Sequence, residues 1–569
     1  MAVDVGNDDI FNFLLGHKLI QFGEYTFRFC KKLTEITIPS TVTKIGSNAF
    51  YSCYNLERVI IPNSVTIIGS SAFYSCFKLA ELKIPDSVQK IGEKAFFQCS
   101  SLTEIDLPLS FTKDALPAGI FMKCSSLKKF NIPNSIEIIK SDAFKGCSSL
   151  TRIEVPSSVT SIESGAFSEC SSLAEIMNNS SITIINDNVF ADCSSLKEIT
   201  IPSSVVTIGK YAFESCTSLE KINIPSSVTV IDEGAFSNCK SLNEITIPES
   251  VVTIGKGAFV ECISLKKIII PSSVTVINDQ AFERCRSLKE IIIPESVTLL
   301  GSFLFSSCDS LTDVSIPSSV TEIKYGCFSR CKSIKELIIP SSATRIGDYA
   351  FKGCKSLTKI SILSELKKIN EEAFIECKSL TEINLPSSLV VICEKAFYKC
   401  KSLVEIDIPS SVNRIGKSAF AACTSLKRVT LPSSLKTIEN ATFKECSSLL
   451  SISIPSSVTE IGQYAFNHCT SLTHVDIPNS VNRIAEYAFG ECESLTEVEI
   501  PNSLKKICNH SFRECSSLKK VTIPDSVKEI GTFAFKLCSS LKEIVIPKSV
   551  KSIGNGAFDY CPAKIIRNK

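Results

Sequence analysis

The 569-residue sequence has no tryptophan and only four histidines, His17, His468, His474 and His510. Nucleophilic catalysis needs a nucleophile with a base in reach, and none of the four anchors a recognisable triad. There is no G-x-x-x-x-G-K-[ST] phosphate loop and no G-x-G-x-x-G fingerprint. No run approaches the roughly 18 consecutive apolar residues that a membrane-crossing helix needs. Charge of one sign is not in excess either: 61 Lys+Arg face 59 Asp+Glu, a net +2, which supplies no field for nucleic acid or an anionic membrane. These absences predict a protein that is not an enzyme, carries no cofactor, binds no nucleic acid and does not insert directly into a membrane. The N-terminus is acidic where a signal peptide is basic, and its apolar run Ile10 to Leu15 is broken by Asn12. The C-terminus, Ile565-Ile-Arg-Asn-Lys569, carries no lipidation motif.

Cysteine, by contrast, is abundant, and its 27 copies are regularly placed. Cys30, Cys53, Cys76 and Cys99 begin a ladder that runs on from Cys124 to Cys561 in steps of 23 residues, with two extra residues between Cys99 and Cys124. Each ladder cysteine has a phenylalanine three positions before it, from Phe27 to Phe558. Cys327, Cys393 and Cys508 stand outside the ladder, where other repeats have Ala or Gly. A step of 23 supplies no close Cys pair for zinc, and Cys327 with Cys331 has no nearby histidine, so no metal site is expected. Stacked thiols point the same way rather than toward each other, which reads as a column of small buried hydrophobes, and free thiols in such number favour a reducing compartment.

A period in this range is the signature of a solenoid. In one unit, Leu33 to Cys53, Ile36-Thr37-Ile38 alternates in, out and in before Pro39, a strand of three or four residues. Val42 and Ile45 point inward, Gly46 permits a turn, and the spacing of three in Ala49-Phe50-x-x-Cys53-x-x-Leu56 predicts a short helical turn. One rung cannot bury its apolar residues alone, so stability depends on stacking. The expected fold is an α/β solenoid, a horseshoe or superhelix with one continuous curved parallel β-sheet on the concave face, its rungs about 4.8 Å apart, and short helical turns opposite. Residues 1–18 read as an N-terminal cap, 19–561 as an array of 24 F-x-x-C units, and 562–569 as a C-terminal cap.

The pattern L-x-x-I-x-I-P-x-S-V-x-x-I-G-x-x-A-F-x-x-C resembles the leucine-rich repeat class of BspA-like surface proteins over nearly the whole chain. The resemblance implies a non-enzymatic binding protein, commonly a cell-surface adhesin or antigen. The buried Asn usual in leucine-rich repeats is replaced by Ser, as at Ser64, Ser87, Ser204, Ser227, Ser457 and Ser526, whose hydroxyls can satisfy backbone groups at the corner after Pro.

Four places break the repeat: the long rung Phe111 to Phe121, Asn178-Asn179 in place of an apolar residue and Pro, Leu363 and Glu365 in place of Pro and Ser, and Lys564 in place of the leading Leu. The last reads as a capping change. The others read as drift in a tolerant array or as kinks that shape a surface. Asn178, Asn179, Asn440 and Asn509 lie in glycosylation sequons, which matter in a secreted chain.

Two columns of each strand face solvent. The first is charged in nearly every rung (Glu35, Arg58, Glu81, Glu104, Lys129, Arg152), with opposite signs often stacked as cross-rung pairs. The second is mostly Thr, Ser, Asn or Asp, but apolar at Ile269, Ile292 and Ile338, flanked by Lys267, Glu290 and Glu336. This strip is the candidate site for a protein ligand on the concave sheet face. Three functions fit: a cell-surface adhesion or recognition antigen, an intracellular scaffold or regulator that binds a cytosolic protein, and a structural array in which repeat number matters most. The family resemblance favours the cell surface; the thiol ladder and the N-terminus favour the cytoplasm.

Overall fold

The computed structural model describes residues 19–108, 111 and 114–567. The expected cap over residues 1–18 lies outside them. The chain forms two compact units, Met1–Leu288 and Lys289–Lys569. Each is a stack of the same rung and a parallel β-solenoid.

In the first unit, strands Glu35–Thr37, Arg58–Ile60 and Glu81–Lys83 pair in parallel with Ile36, Val59 and Leu82 side by side. In the second, Glu336–Ile339, Lys359–Ile362 and Glu382–Asn384 do the same. The register is the 23-residue step of the cysteine ladder. Each rung adds a second, shorter strand that the sequence pattern did not predict, such as Lys44–Ile45 beside Ile67–Ile68, or Glu322–Ile323 beside Arg345–Ile346. Two residues are too few to show a period. The single continuous sheet of the sequence reading is replaced by several short parallel sheets of both strand types. A three-residue strand ending at proline leaves few ladder bonds per junction.

The predicted helical turns are absent: no helix occurs among the described residues, and the segment around Ala-Phe is a chain of tight turns. Tyr51 and Cys53 donate their N–H to the carbonyls of Asn48 and Phe50, three residues back, as the spacing of three requires. The alternate amides do something no helix does. Asn48, Phe50 and Ser52 donate to Ser70, Ala72 and Tyr74 of the next rung, at 2.9, 2.8 and 2.7 Å. The second unit repeats this, with Tyr349, Phe351 and Gly353 donating to Glu371, Ala373 and Ile375. To aim these amides outward, the residues two before and two after each phenylalanine adopt left-handed backbone, as at Asn48 (φ 56°) and Ser52 (φ 59°). Forty such positions carry side chains and only eight are glycine, so the inter-rung bonds outweigh a conformational cost of order 1 kcal/mol at each.

Glycine has its effect elsewhere. Gly347 has no positive φ, but a Cβ there would lie 2.7 Å from the backbone of Lys324 and Tyr325 in the preceding rung. Lys324 and Asn370 hold the equivalent corner on either side, so the glycine answers to this junction rather than to the repeat. Gly347→Ala is expected to cost about 1–3 kcal/mol, read as a lower urea midpoint at unchanged slope. An unchanged midpoint would show that the corner yields freely.

Inside the rungs the Val, Ile, Ala, Phe, Cys and Leu positions are almost completely buried, while Phe558 and Cys561 of the last rung are half-buried. Phenylalanines stack rung on rung, as in Phe213–Phe236 (5.4 Å, 1°) and Phe351–Phe374 (5.3 Å, 7°). The ladder thiols are donors as well as filler: Cys76 Sγ donates to the Phe50 carbonyl at 3.2 Å, and Cys377 Sγ to Phe351 at 3.1 Å. Ser64, Ser87, Ser204, Ser227 and Ser457 donate to the carbonyls of Val42, Val65, Ile182, Val205 and Leu435 at 2.5–2.7 Å, the corner role expected of them. Ser526 departs from it, its buried hydroxyl making no hydrogen bond.

The two-residue insertion before Cys124 is absorbed ahead of Ala118. Lys94 still donates to Ala118, and Cys124 Sγ still reaches Phe96. At the other end, Lys564–Arg567 pairs with Glu543–Ile546 so that Lys564 lies opposite Glu543. Lys564 thus takes the outward charged position and not that of the leading Leu, because the chain enters this strand two residues early.

Candidate protein-binding face

Outward side chains of the long strands form the surface named by the sequence. Alternation along Glu290–Ile292 buries Ile291 and leaves Ile292 71% exposed; Ile338, in Glu336–Ile339, is 60% exposed. Ile292 lies opposite Ser315, and Ile338 opposite Ser361. The two isoleucines are therefore two rungs apart in the second unit, about 10 Å at the usual strand spacing, with Ser315 between. Ile269, 58% exposed, belongs to the first unit, where it lies opposite Thr246 in strand Lys267–Ile269. The same column is also apolar at Ile60 and Met177, and at Val545, which lies opposite Ile566.

Beside the isoleucines runs an acidic column. Glu290 lies opposite Asp313, and Glu336 opposite Lys359. Asp313 completes the series and could have been found from the 23-residue step. Lys359 turns to Glu382, 3.0 Å away, and that hydrogen bond raises its pKa. Elsewhere in this column the expected cross-rung pairs form: Arg152–Glu175 at 3.6 Å, Lys221–Glu244 at 3.6 Å and Arg428–Glu405 at 2.6 Å. All are exposed, so each adds at most about 1 kcal/mol. Lys267 of the proposed strip lies opposite Glu244.

Other polar groups are spread over the rungs. His474, exposed at the start of a long strand, meets Asp476 at 2.8 Å in a shallow groove that also holds Glu497 and Glu499. His468 meets Glu491 at 3.1 Å on the turn side. His510 is stacked on Tyr487 at 4.3 Å, and burial, with Arg513 beside it, lowers its pKa. His17 lies outside the described residues. Among the described residues no three His, Cys, Asp or Glu side chains gather as a metal site, and no helix is long and apolar enough to cross a membrane. Burial pushes the fully buried ladder thiols up, Cys124 and Cys354 to about 12, so they are neutral and poor nucleophiles at physiological pH, while the half-buried Cys561 at the ladder's end is lowered by its hydrogen bond with Cys538. Cys393 and Cys508 are half-buried, and burial raises them as well.

A stack of identical rungs with a buried aliphatic and aromatic interior and a variable outer face defines a repeat scaffold. The chain belongs to the BspA type leucine-rich repeat family: residues 7–113, 114–243, 233–358, 344–473 and 459–567 each match the BspA type leucine rich repeat region. Solved structures similar to it include a leucine-rich repeat protein from Bacteroides ovatus (28% identity over 74% of this chain and 92% of that one, TM-score 0.46). A leucine rich cell surface protein from Faecalibacterium prausnitzii is also similar (27%, 65% and 87%, TM-score 0.37), as is the pneumococcal vaccine antigen PcpA (20%, 70% and 87%, TM-score 0.30). A comparison with curated proteins returns no match.

Proposed function

We propose that this protein is a non-catalytic recognition protein of the cell-surface adhesion type, and that it binds a protein ligand through the outward columns of its long strands. The observation that carries this reading is the pairing of exposed Ile292 and Ile338 with the acidic Glu290, Asp313 and Glu336 in the neighbouring column. Apolar anchors beside charge of one sign suit a ligand with an apolar side chain flanked by Lys or Arg. On the first unit Ile269 offers the same apolar contact, with Lys267 beside it suited to an acidic ligand group.

A photo-crosslinking residue at position 292 in source cells is expected to capture a discrete adduct that the same residue at Thr522 does not. Ile292→Glu should abolish that adduct, captured then from position 338, while changing stability by no more than about 0.5 kcal/mol. Equal capture at 292 and 522 would remove the site. The second reading, an intracellular scaffold, is favoured by 27 free thiols, nearly all buried. Antibody staining decides between them: signal on intact cells supports the surface role, and signal only after permeabilisation selects the scaffold.

A further inference from the structure

We propose that the C-terminal rungs of the second unit form a track for an extended, acidic polypeptide segment. The near-neutral total hides an asymmetry. Residues 501–569 hold 13 Lys+Arg against 5 Asp+Glu, while the whole chain has 61 against 59. Within this stretch the 23-residue step superimposes Lys505, Lys528 and Lys551. Lys528 donates its N–H to the Lys505 carbonyl, and Lys551 to the Lys528 carbonyl, both at 2.8 Å. The three side chains therefore stand in one file, one per rung, about 4.8 Å apart, and all are exposed.

Like charges on adjacent strands repel, and three in one file concentrate that repulsion. In the next column, one residue along, Lys506 pairs with Glu529 at 2.7 Å, and Arg483 pairs with Glu460. The lysine file has no such partners. Among the described residues none of the three makes an ion pair with a carboxylate, and Lys528 Nζ reaches only the Asp525 carbonyl, at 3.3 Å. In the two rungs above, the same column is the neutral Thr459 and Asn482. A repulsive, unneutralised file in the stretch where positive charge is most in excess is what an external anion would complete.

The shape of the file selects the kind of anion. It is one side chain wide, with inward Leu504, Val527 and Val550 on one side and the Lys506–Glu529 pair on the other, so it matches a single extended strand and not a plane or a duplex. Among the described residues no aromatic ring lies in or beside the lane for bases to stack on, as single-stranded nucleic acid binding requires. Lysine presents a mobile point charge and not the planar fork that favours phosphate, so charge density is read and not a particular group. An extended acidic chain puts same-side carboxylates about 6.6 Å apart, a mismatch that flexible lysine stems absorb.

The test uses the full chain and a fluorescent, end-blocked decaglutamate peptide, followed by anisotropy at low and at physiological ionic strength. Binding should weaken with salt. The triple variant Lys505→Gln, Lys528→Gln, Lys551→Gln should bind at least about tenfold more weakly at low salt, with folding unchanged by circular dichroism. Replacing the same three by Arg should retain binding. The control triple Lys240→Gln, Lys256→Gln, Lys417→Gln, also exposed lysines but not stacked on others, should bind as the parent does. The proposal is overturned if decaglutamate does not bind, or if the control triple weakens it equally. It is also overturned if a DNA duplex or phosphatidylserine vesicles bind more tightly than the peptide through these lysines.

Discussion

Between pH 9 and pH 12 the protein is expected to unfold, and the cause is its cysteine ladder. Burial raises Cys124, Cys170 and Cys262 in the first unit, and Cys354, Cys423, Cys469 and Cys515 in the second, from 9.0 to about 12. The folded state thus holds these protons over a range in which the unfolded chain releases them. Stability falls wherever the folded state binds more protons, so the contribution is complete below pH 9 and is lost as pH rises toward 12. Three pKa units correspond to about 4 kcal/mol per thiol. The four thiols of the second unit together lose about 16 kcal/mol, as much as or more than the roughly 5–15 kcal/mol that holds a typical domain folded. Lysine and tyrosine ionise in the same range, so the deciding signal is thiolate absorbance. It should rise together with the loss of circular dichroism. A thiolate signal that titrates near pH 9 while structure persists would refute ladder burial.

Phe351→Ala should cost about 3–5 kcal/mol and open the second unit locally. The ring is 1% exposed and stacked between Phe328 at 5.6 Å and Phe374 at 5.3 Å. Its backbone bonds survive the change: the N–H still donates to Ala373, and the carbonyl still accepts from the Cys354 amide and the Cys377 thiol. The whole loss is therefore side-chain packing, taken from both neighbouring junctions at once. Because each rung rests only on its neighbours, hydrogen exchange should accelerate most in rungs next to 351 and least toward the ends of the unit. A loss below about 1 kcal/mol would mean that adjacent rings close the gap.

The contrast between Phe351→Ala and Ile292→Glu separates core from surface. Both residues are large and apolar, and hydropathy does not distinguish them. Position in the repeat does: Phe351 stands in a column that is Phe in every rung, while Ile292 stands between two inward residues of a short strand, where alternation turns it outward. Exposure of Ile292 and Ile338 was for that reason readable from spacing. The placement of Ile269 in a separate compact unit was not, since nothing in the repeat marks a division at Leu288. The three stacked lysines could be read from their spacing of 23, yet only the structure shows that their neighbours are paired and they are not.

The repeat alone determined the step between rungs, the parallel register, the inward columns and the burial of the thiols, because one spacing rule repeated along the chain leaves a single consistent stacking. It did not determine what the turn segment becomes. A spacing of three is common to a helical turn and to successive tight turns, and the choice between them rests on amides that donate to carbonyls 22 residues away in the next rung. Those bonds exist only after the rungs have stacked. They also hold non-glycine residues in left-handed backbone, and the same dependence on a neighbour set the early entry of Lys564 opposite Glu543. Local sequence carries no trace of such choices, since the atoms that decide them are brought together by the fold.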